Sequence, residues 1–275
     1  MIRIFVDSCS SIKQTEKEKY GVEIIPLRYL MGEVEYRDDI DLSIDEFYKL
    51  MIEEKLFPKT SLPELSELET KVNSFTENGD DVLIITLSSN LSGTYSAIST
   101  LFGENKKVAV IDSLTAVGGM RILVEEAIKN KDKPLSEIVE ILNALVPRIK
   151  ILAIPETLAY LHRGGRLSKA DYLLGSILSI KPVISLPNGS VKVLAKKIGL
   201  KASMSYIANC LKTMKCDKNY PIIPSYTYKP NNLEKLIEMT DKAFHPQMTE
   251  FDNLDPVIAC HWGPNAFGYI FVSKE

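Results

Sequence analysis

The chain has 275 residues, 45% of them hydrophobic and 25% charged, with 33 Lys plus Arg against 36 Asp plus Glu and a formal net charge of −3 at pH 7. A mean hydropathy of −0.01 belongs to a globular chain with an ample core and excludes a disordered or fibrous one. The slight acidic excess excludes non-specific nucleic-acid binding, which rests on phosphate neutralisation by Lys and Arg, and no polybasic tract offers itself to an anionic membrane.

Residues 2–6 are expected to form a first strand, closed by the polar cluster at 7–11, and residues 22–30 a second, with a turn and a short strand over 32–36. Ser43 and Glu46 make a capping-box pair ahead of the apolar stripe Phe47, Leu50 and Met51, so a helix is expected there. Leu62-Pro63 is expected to open the next helix, with Pro63 in a tolerated first-turn position and Leu65, Leu68 and Val72 facing inward. Strands at 82–87 and 107–111 then alternate with helices at 94–101, through Val124 and Ala127, and at 136–146. Apolar strands flanked by helices predict a mostly parallel sheet.

The pattern changes near 150–156. A polar loop, His162-Arg163-Gly164-Gly165-Arg166, precedes a helix carrying Leu173, Leu174, Ile177 and Leu178. Residues 181–186 and 190–195 read as a hairpin around Asn188-Gly189. A helix at 200–214, a strand at 220–224, a helix at 233–243 and a strand at 269–272 complete the chain. The expected fold class is α/β with two domains: a mostly parallel α/β domain over 1–153 and a smaller α+β domain over 154–275.

The four cysteines, at 9, 210, 216 and 260, contain no C-x-x-C pair and are too few for a disulfide scaffold. Asp7 interrupts the N-terminus before a signal-peptide apolar region can form, and no stretch approaches the ~18 apolar residues of a spanning helix. The expected location is the cytoplasm, without stable membrane insertion.

Three clusters of small polar residues carry the candidate chemistry: Thr60-Ser61-Leu62-Pro63, Ser88-Ser89-Asn90-Leu91-Ser92-Gly93-Thr94, and His261-Trp262-Gly263-Pro264-Asn265 before the last strand. In an open α/β sheet, ligands bind outside the carboxyl ends of the strands, where the second cluster falls. Hydroxyls and helix N-terminal N–H groups there favour an anion, and Gly93 permits close approach to the backbone. The same serines also read as ordinary caps and turn residues, and His261 as a structural histidine. Three scattered histidines, one beside Cys260, argue against a metal site. A serine hydrolase built from Ser89 or Ser92 with His261 and Asp112 lacks the G-x-S-x-G elbow. A phosphate- or sugar-phosphate-binding module at 92–94 is a further alternative. No Walker A or G-x-G-x-x-G motif supports a nucleotide cofactor.

The combination of Asp7-Ser8, Thr60-Ser61-x-Pro63, the 88–95 segment, Asp112-Ser113, Leu158 through Gly164-Gly165-Arg166, Lys181-Pro182 and His261-x-Gly263-Pro264 resembles the DegV family of bacterial fatty-acid-binding proteins. The resemblance implies a long-chain fatty acid such as palmitate, stearate or oleate in a cleft between two domains. It implies a carboxylate held by Thr60, Ser61, Ser92, Gly93 and Thr94, with His261 close by, and an entrance or partner contact at Arg163 and Arg166. It further implies no catalysis and no cofactor, but a role as acyl-carrier subunit for a separate fatty-acid kinase. Expected tail-lining residues are Ile25, Leu27, Leu91, Ile154, Leu158, Leu173, Ile177 and Phe267. Two positions depart from the family pattern: Lys196-Lys197 replaces an Arg-Thr pair, and Asn265 replaces a glycine.

Overall fold

The computed structural model describes residues 1–175 and 179–274, which divide into compact units Met1–Pro147 and Arg148–Glu275. The first unit contains β1 (Ile2–Asp7), β2 (Val22–Ile25), β3 (Arg28–Met31), β4 (Val34–Arg37), β5 (Lys59–Ser61), β6 (Asp81–Thr86) and β7 (Val108–Asp112). Its helices are α1 (Lys17–Tyr20), α2 (Ile44–Tyr48), α3 (Leu65–Glu77), α4 (Thr94–Phe102), α5 (Gly118–Lys129) and α6 (Leu135–Leu145).

A parallel sheet runs β2-β1-β6-β7. Its central strand β6 is apolar on both faces, and Val82, Leu83, Ile84 and Ile85 are fully buried, as a strand covered on two sides requires. Phe5, Val82 and Ile84 pack with Leu68 and Val72 of α3 and Ile98 and Phe102 of α4. Strand alternation leaves Ile4, Val6, Leu83 and Ile85 for α5 and α6, which pack against β1, β6 and β7. The chain leaves β1 on one side for β2 and on the other for β6, so the topological switch point lies between β1 and β6.

The expected strand at 22–30 is two strands in two sheets. Pro26 has no N–H to give to a ladder, and the break frees Leu27 N to donate to Ser8 Oγ at 3.1 Å. Beyond it, β3 joins an antiparallel sheet of order β4-β3-β5. The expected helix start at Leu62-Pro63 moves to Leu65, because pairing of Ser61 with Arg28 keeps the segment extended. The Ser43–Glu46 capping box forms as expected, with Ser43 N donating to Glu46 Oε2 at 3.0 Å and Glu46 N donating to Ser43 Oγ at 3.3 Å.

The second unit contains β8 (Ile149–Ile154), β9 (Ile180–Ser185), β10 (Lys192–Ile198), β11 (Ile223–Tyr226), β12 (Asp252–Asn253) and β13 (Phe267–Val272). Its helices are α7 (Ala159–Arg163), α8 (Lys169–Gly175), α9 (Leu200–Thr213), α10 (Asn231–Phe244) and α11 (Pro256–Trp262). One sheet of order β10-β9-β8-β13-β11-β12 is antiparallel except at β11–β12. Every residue of β8 pairs with β13, which ties 149–154 to the second unit. Leu152, Val183, Phe267 and Tyr269 form its core with Met204 and Ile207 of α9 and Leu233 and Leu236 of α10.

The hairpin of β9 and β10 is present, but its connection is longer than a two-residue turn. Pro187 stops the ladder early, and Pro187–Gly189 forms a single 3-10 turn with Asn188 and Gly189 both in the left-handed region, at φ 51° and 75°. The strand expected at 220–224 lies at 223–226. The polar cluster expected at 261–265 before the last strand begins inside a helix: Asp255 and Pro256 open α11, and Gly263 closes it at φ 71°. Ile177 and Leu178, expected on the helix that contains α8, lie outside the described residues.

Candidate functional site

The carboxyl ends of β1, β6 and β7 deliver three polar loops to one end of the parallel sheet. Asp7 bridges the switch point: its Oδ2 accepts from Leu87 N at 2.6 Å and its Oδ1 from Cys9 N at 3.0 Å. The carboxyl is fully buried. Desolvation pushes its pKa from 3.8 up to about 7, against the two N–H donors and with the help of buried Asp38. At the end of β7, Asp112 Oδ1 accepts from Ser89 N at 3.0 Å and Leu114 N at 3.1 Å, so it organises two loops.

In the 88–94 segment Ser88 and Thr94 are fully buried, Ser92 is half-buried and Gly93 is exposed. Ser88 is buried; its Oγ accepts from Asn90 N at 3.2 Å and its carbonyl from Ser92 N at 3.1 Å. Ser92 Oγ and Thr94 Oγ1 lie 2.9 Å apart, and Thr94 N donates to Ser92 Oγ at 3.3 Å. Gly93 is exposed at the head of α4. A Cβ built there would lie 3.7 Å from Leu62 Cδ2, so the Thr60–Pro63 segment abuts the Ser92–Thr94 turn. Ser61 is exposed and its Oγ donates to Glu35 Oε1 at 3.1 Å, which turns it toward another carboxylate. Thr60 sits opposite Tyr29 in the β3–β5 pair.

In the second unit, Gly164, Arg166 and His261 come together. A Cβ at Gly164 would collide with the His261 imidazole, and one at Gly263 with the Tyr160 ring. The turn is tied back to α7 by Gly164 N to Tyr160 O at 2.9 Å and Arg166 N to Leu161 O at 2.9 Å. Arg166 is half-buried and donates to the Gly164 carbonyl. Burial, reinforced by the nearby Arg166 charge, pulls the His261 pKa from 6.5 down to about 3. The imidazole is therefore neutral at pH 7. Arg163 is exposed at the end of α7.

G164A is expected to destabilise the protein by about 1–3 kcal/mol, the cost of overpacking a tight contact. Urea denaturation checks it; an unchanged midpoint would mean that His261 has room to yield. Because Gly164 and His261 are distant in sequence, no local spacing rule signals their contact; Asp255 followed by Pro256 is the local pattern from which the helix around His261 can be read, and it was missed.

Of the expected tail-lining residues, Ile25, Leu27, Ile154, Leu158 and Phe267 are buried; Ile25, Ile154 and Phe267 belong to the cores of their units. Leu91 is half-buried and Leu173 is 58% exposed. All three histidines, at 162, 245 and 261, lie in the second unit, so the first unit holds Ser89, Ser92 and Asp112 without one. Among the described residues, no group of three or more His, Cys, Asp or Glu could hold a metal ion, and no helix is long and apolar enough to cross a membrane.

A family profile described as "Uncharacterised protein, DegV family" matches residues 1–274. A DegV domain-containing protein of Caldanaerobacter subterraneus subsp. tengcongensis is 32% identical over 284 residues, covering 99% of both chains. The fold matches a DegV family protein from Thermus thermophilus, solved as a fatty-acid-binding protein, with a TM-score of 0.88, 26% identity and 99% coverage of both chains. It also matches a stearic-acid-binding protein from Eubacterium ventriosum with a TM-score of 0.85 and 25% identity, over 100% of this chain and 99% of that one. The chain belongs to the DegV family.

Proposed function

We propose that this protein binds a long-chain fatty acid, with its carboxylate at the Ser92-Gly93-Thr94 turn and the Thr60-Ser61 segment beside it. The observation that carries this reading is a pair of hydroxyls 2.9 Å apart beside an exposed glycine, at the carboxyl end of the parallel sheet of a DegV fold. Such donors accommodate an anion without a counter-charge. Burying each methylene of the tail contributes about 0.8 kcal/mol before ordering costs. A carboxylate held by neutral donors keeps its nucleophilicity. This fits a carrier that presents it, in the cytoplasm, to a separate ATP-using fatty-acid kinase and performs no catalysis of its own.

Protein purified from bacteria is expected to release a long-chain fatty acid on solvent extraction, read by mass spectrometry. Absence of such a lipid, together with no uptake of added palmitate or oleate, overturns the reading. Removing both hydroxyls in the S92A/T94V variant is expected to weaken retention about tenfold or more, since hydrogen bonds to a charged group contribute about 1.5–3 kcal/mol each. H261N and R166M measure separately whether the second polar cluster takes part. Incubated with ATP alone, the protein is expected to release no ADP.

A further inference from the structure

A second polar cleft lies wholly within the second unit; it holds none of the groups read as binding the carboxylate, and shares with the fatty-acid reading only Ile154 and Phe267, two of the expected tail-lining residues. It has a volume of about 290 Å³. Its floor is apolar: Ile154 at the end of β8 and Phe267 at the start of β13, paired in register, are 1% and 3% exposed. Its rim carries two ammonium groups, Lys181 and Lys229, one carboxylate, Glu156, and the amides of Asn231, Asn232 and Asn265.

The rim is a built structure. Asn265 sits in the left-handed region at φ 59° and its Nδ2 donates to Glu156 Oε2 at 2.7 Å. Tyr228, whose ring lies 4.8 Å beneath Lys229 Nζ, is also left-handed at φ 68°, an unfavourable conformation for a bulky side chain. One buried residue clasps both strained loops. Thr227 Oγ1 donates to Gly263 O at 2.7 Å and accepts from Ala266 N at 2.9 Å, while Thr227 O accepts from Asn265 N at 3.0 Å. Lys181 Nζ donates to the Glu156 carbonyl at 3.4 Å. The Asn232 amide makes no hydrogen bond among the described residues.

We propose that this cleft is a second ligand site, for a compact hydroxylated phosphate monoester. Two ammonium groups against one carboxylate leave a net positive rim suited to a phosphoryl group. Glu156 and the amides supply acceptors and donors for hydroxyls, and the Ile154–Phe267 floor lies under the carbon skeleton. A volume near the lower end of the range for ligand pockets suits a small metabolite and not a long acyl chain.

Isothermal titration of the full chain with ribose 5-phosphate tests the assignment, with ribose and inorganic phosphate as partial probes. The expected result is saturable one-to-one binding, absent for ribose, weaker for phosphate, and reduced about tenfold in K181Q and in K229Q. N265G, which tolerates the same φ, is expected to weaken ribose 5-phosphate but not phosphate. S92A/T94V is expected to bind ribose 5-phosphate as the wild type does. Four results would each overturn the proposal: no saturable heat up to about 10 mM, a weakness beyond that of ordinary metabolite sites; phosphate binding as tightly as the ester; binding indifferent to both lysine variants; or binding lost in S92A/T94V. Each variant's thermal melt, compared with the wild type, separates lost binding from lost folding, and K181R and K229R are expected to restore affinity in part.

Discussion

D7N is expected to gain about 4 kcal/mol of stability relative to the wild type as the pH rises from about 4 to above 7. The reason is the buried position of Asp7 at the switch point. Its carboxyl titrates at 3.8 when unfolded and at about 7 when folded. Between those values the folded state holds a proton that the unfolded state has released. The stability this group contributes is thus fully present below pH 3.8 and is lost progressively up to pH 7. Asparagine removes the titration. It also brings a pH-independent cost, because Asp7 accepts two backbone N–H bonds, from Leu87 and Cys9, and an amide offers one oxygen; an unmet donor costs about 1–3 kcal/mol. Urea denaturation of both proteins across the pH range reads the difference, and a D7N penalty that stays constant with pH would refute the buried, proton-holding carboxyl.

H261N should do the opposite over nearly the same range. His261 titrates at 6.5 when unfolded and at about 3 when folded. Between those values the unfolded state holds the proton that the folded state refuses. The stability this group contributes is present above pH 6.5 and is lost as the pH falls toward 3. Relative to the wild type, H261N should therefore be less destabilised at pH 4 than at pH 7, by about 3 kcal/mol. In the wild type the Asp7 and His261 slopes have opposite signs and overlapping windows, so they largely cancel. The wild-type curve should look flat across pH 4–6.5 in this respect, and each variant should unmask the other group. A protonated His261 in the folded state at pH 5, seen as an imidazolium signal by NMR, would contradict the second prediction.

The two titrating groups show why much of the candidate site was not legible. Asp7 was visible as the polar end of a strand, and Ser88 as a member of a turn cluster. Whether each is a ligand group or a scaffold group depends on partners such as Leu87, 80 residues from Asp7. Among the clustered hydroxyls, Ser88 turns out to hold the turn together, Ser61 to face Glu35, and Ser92 and Thr94 to meet each other. Spacing along the chain treats all of these alike.

The sequence by itself determined the mostly parallel sheet, the capping box at Ser43, the β9–β10 hairpin and the family pattern. Each rests on periodicity, turn chemistry or motif order, interactions that act within a few residues or on the identity of the residues alone. Only the tertiary structure decided that Pro26 sends 22–25 and 28–31 into different sheets, that pairing of Ser61 with Arg28 delays α3 to Leu65, and that His261 lies on a helix against Gly164. It also decided that Thr227 clasps two strained loops around a polar cleft. These features are set by hydrogen-bond partners, burial and close packing between segments far apart in the chain, and their energies exist only once those segments have met.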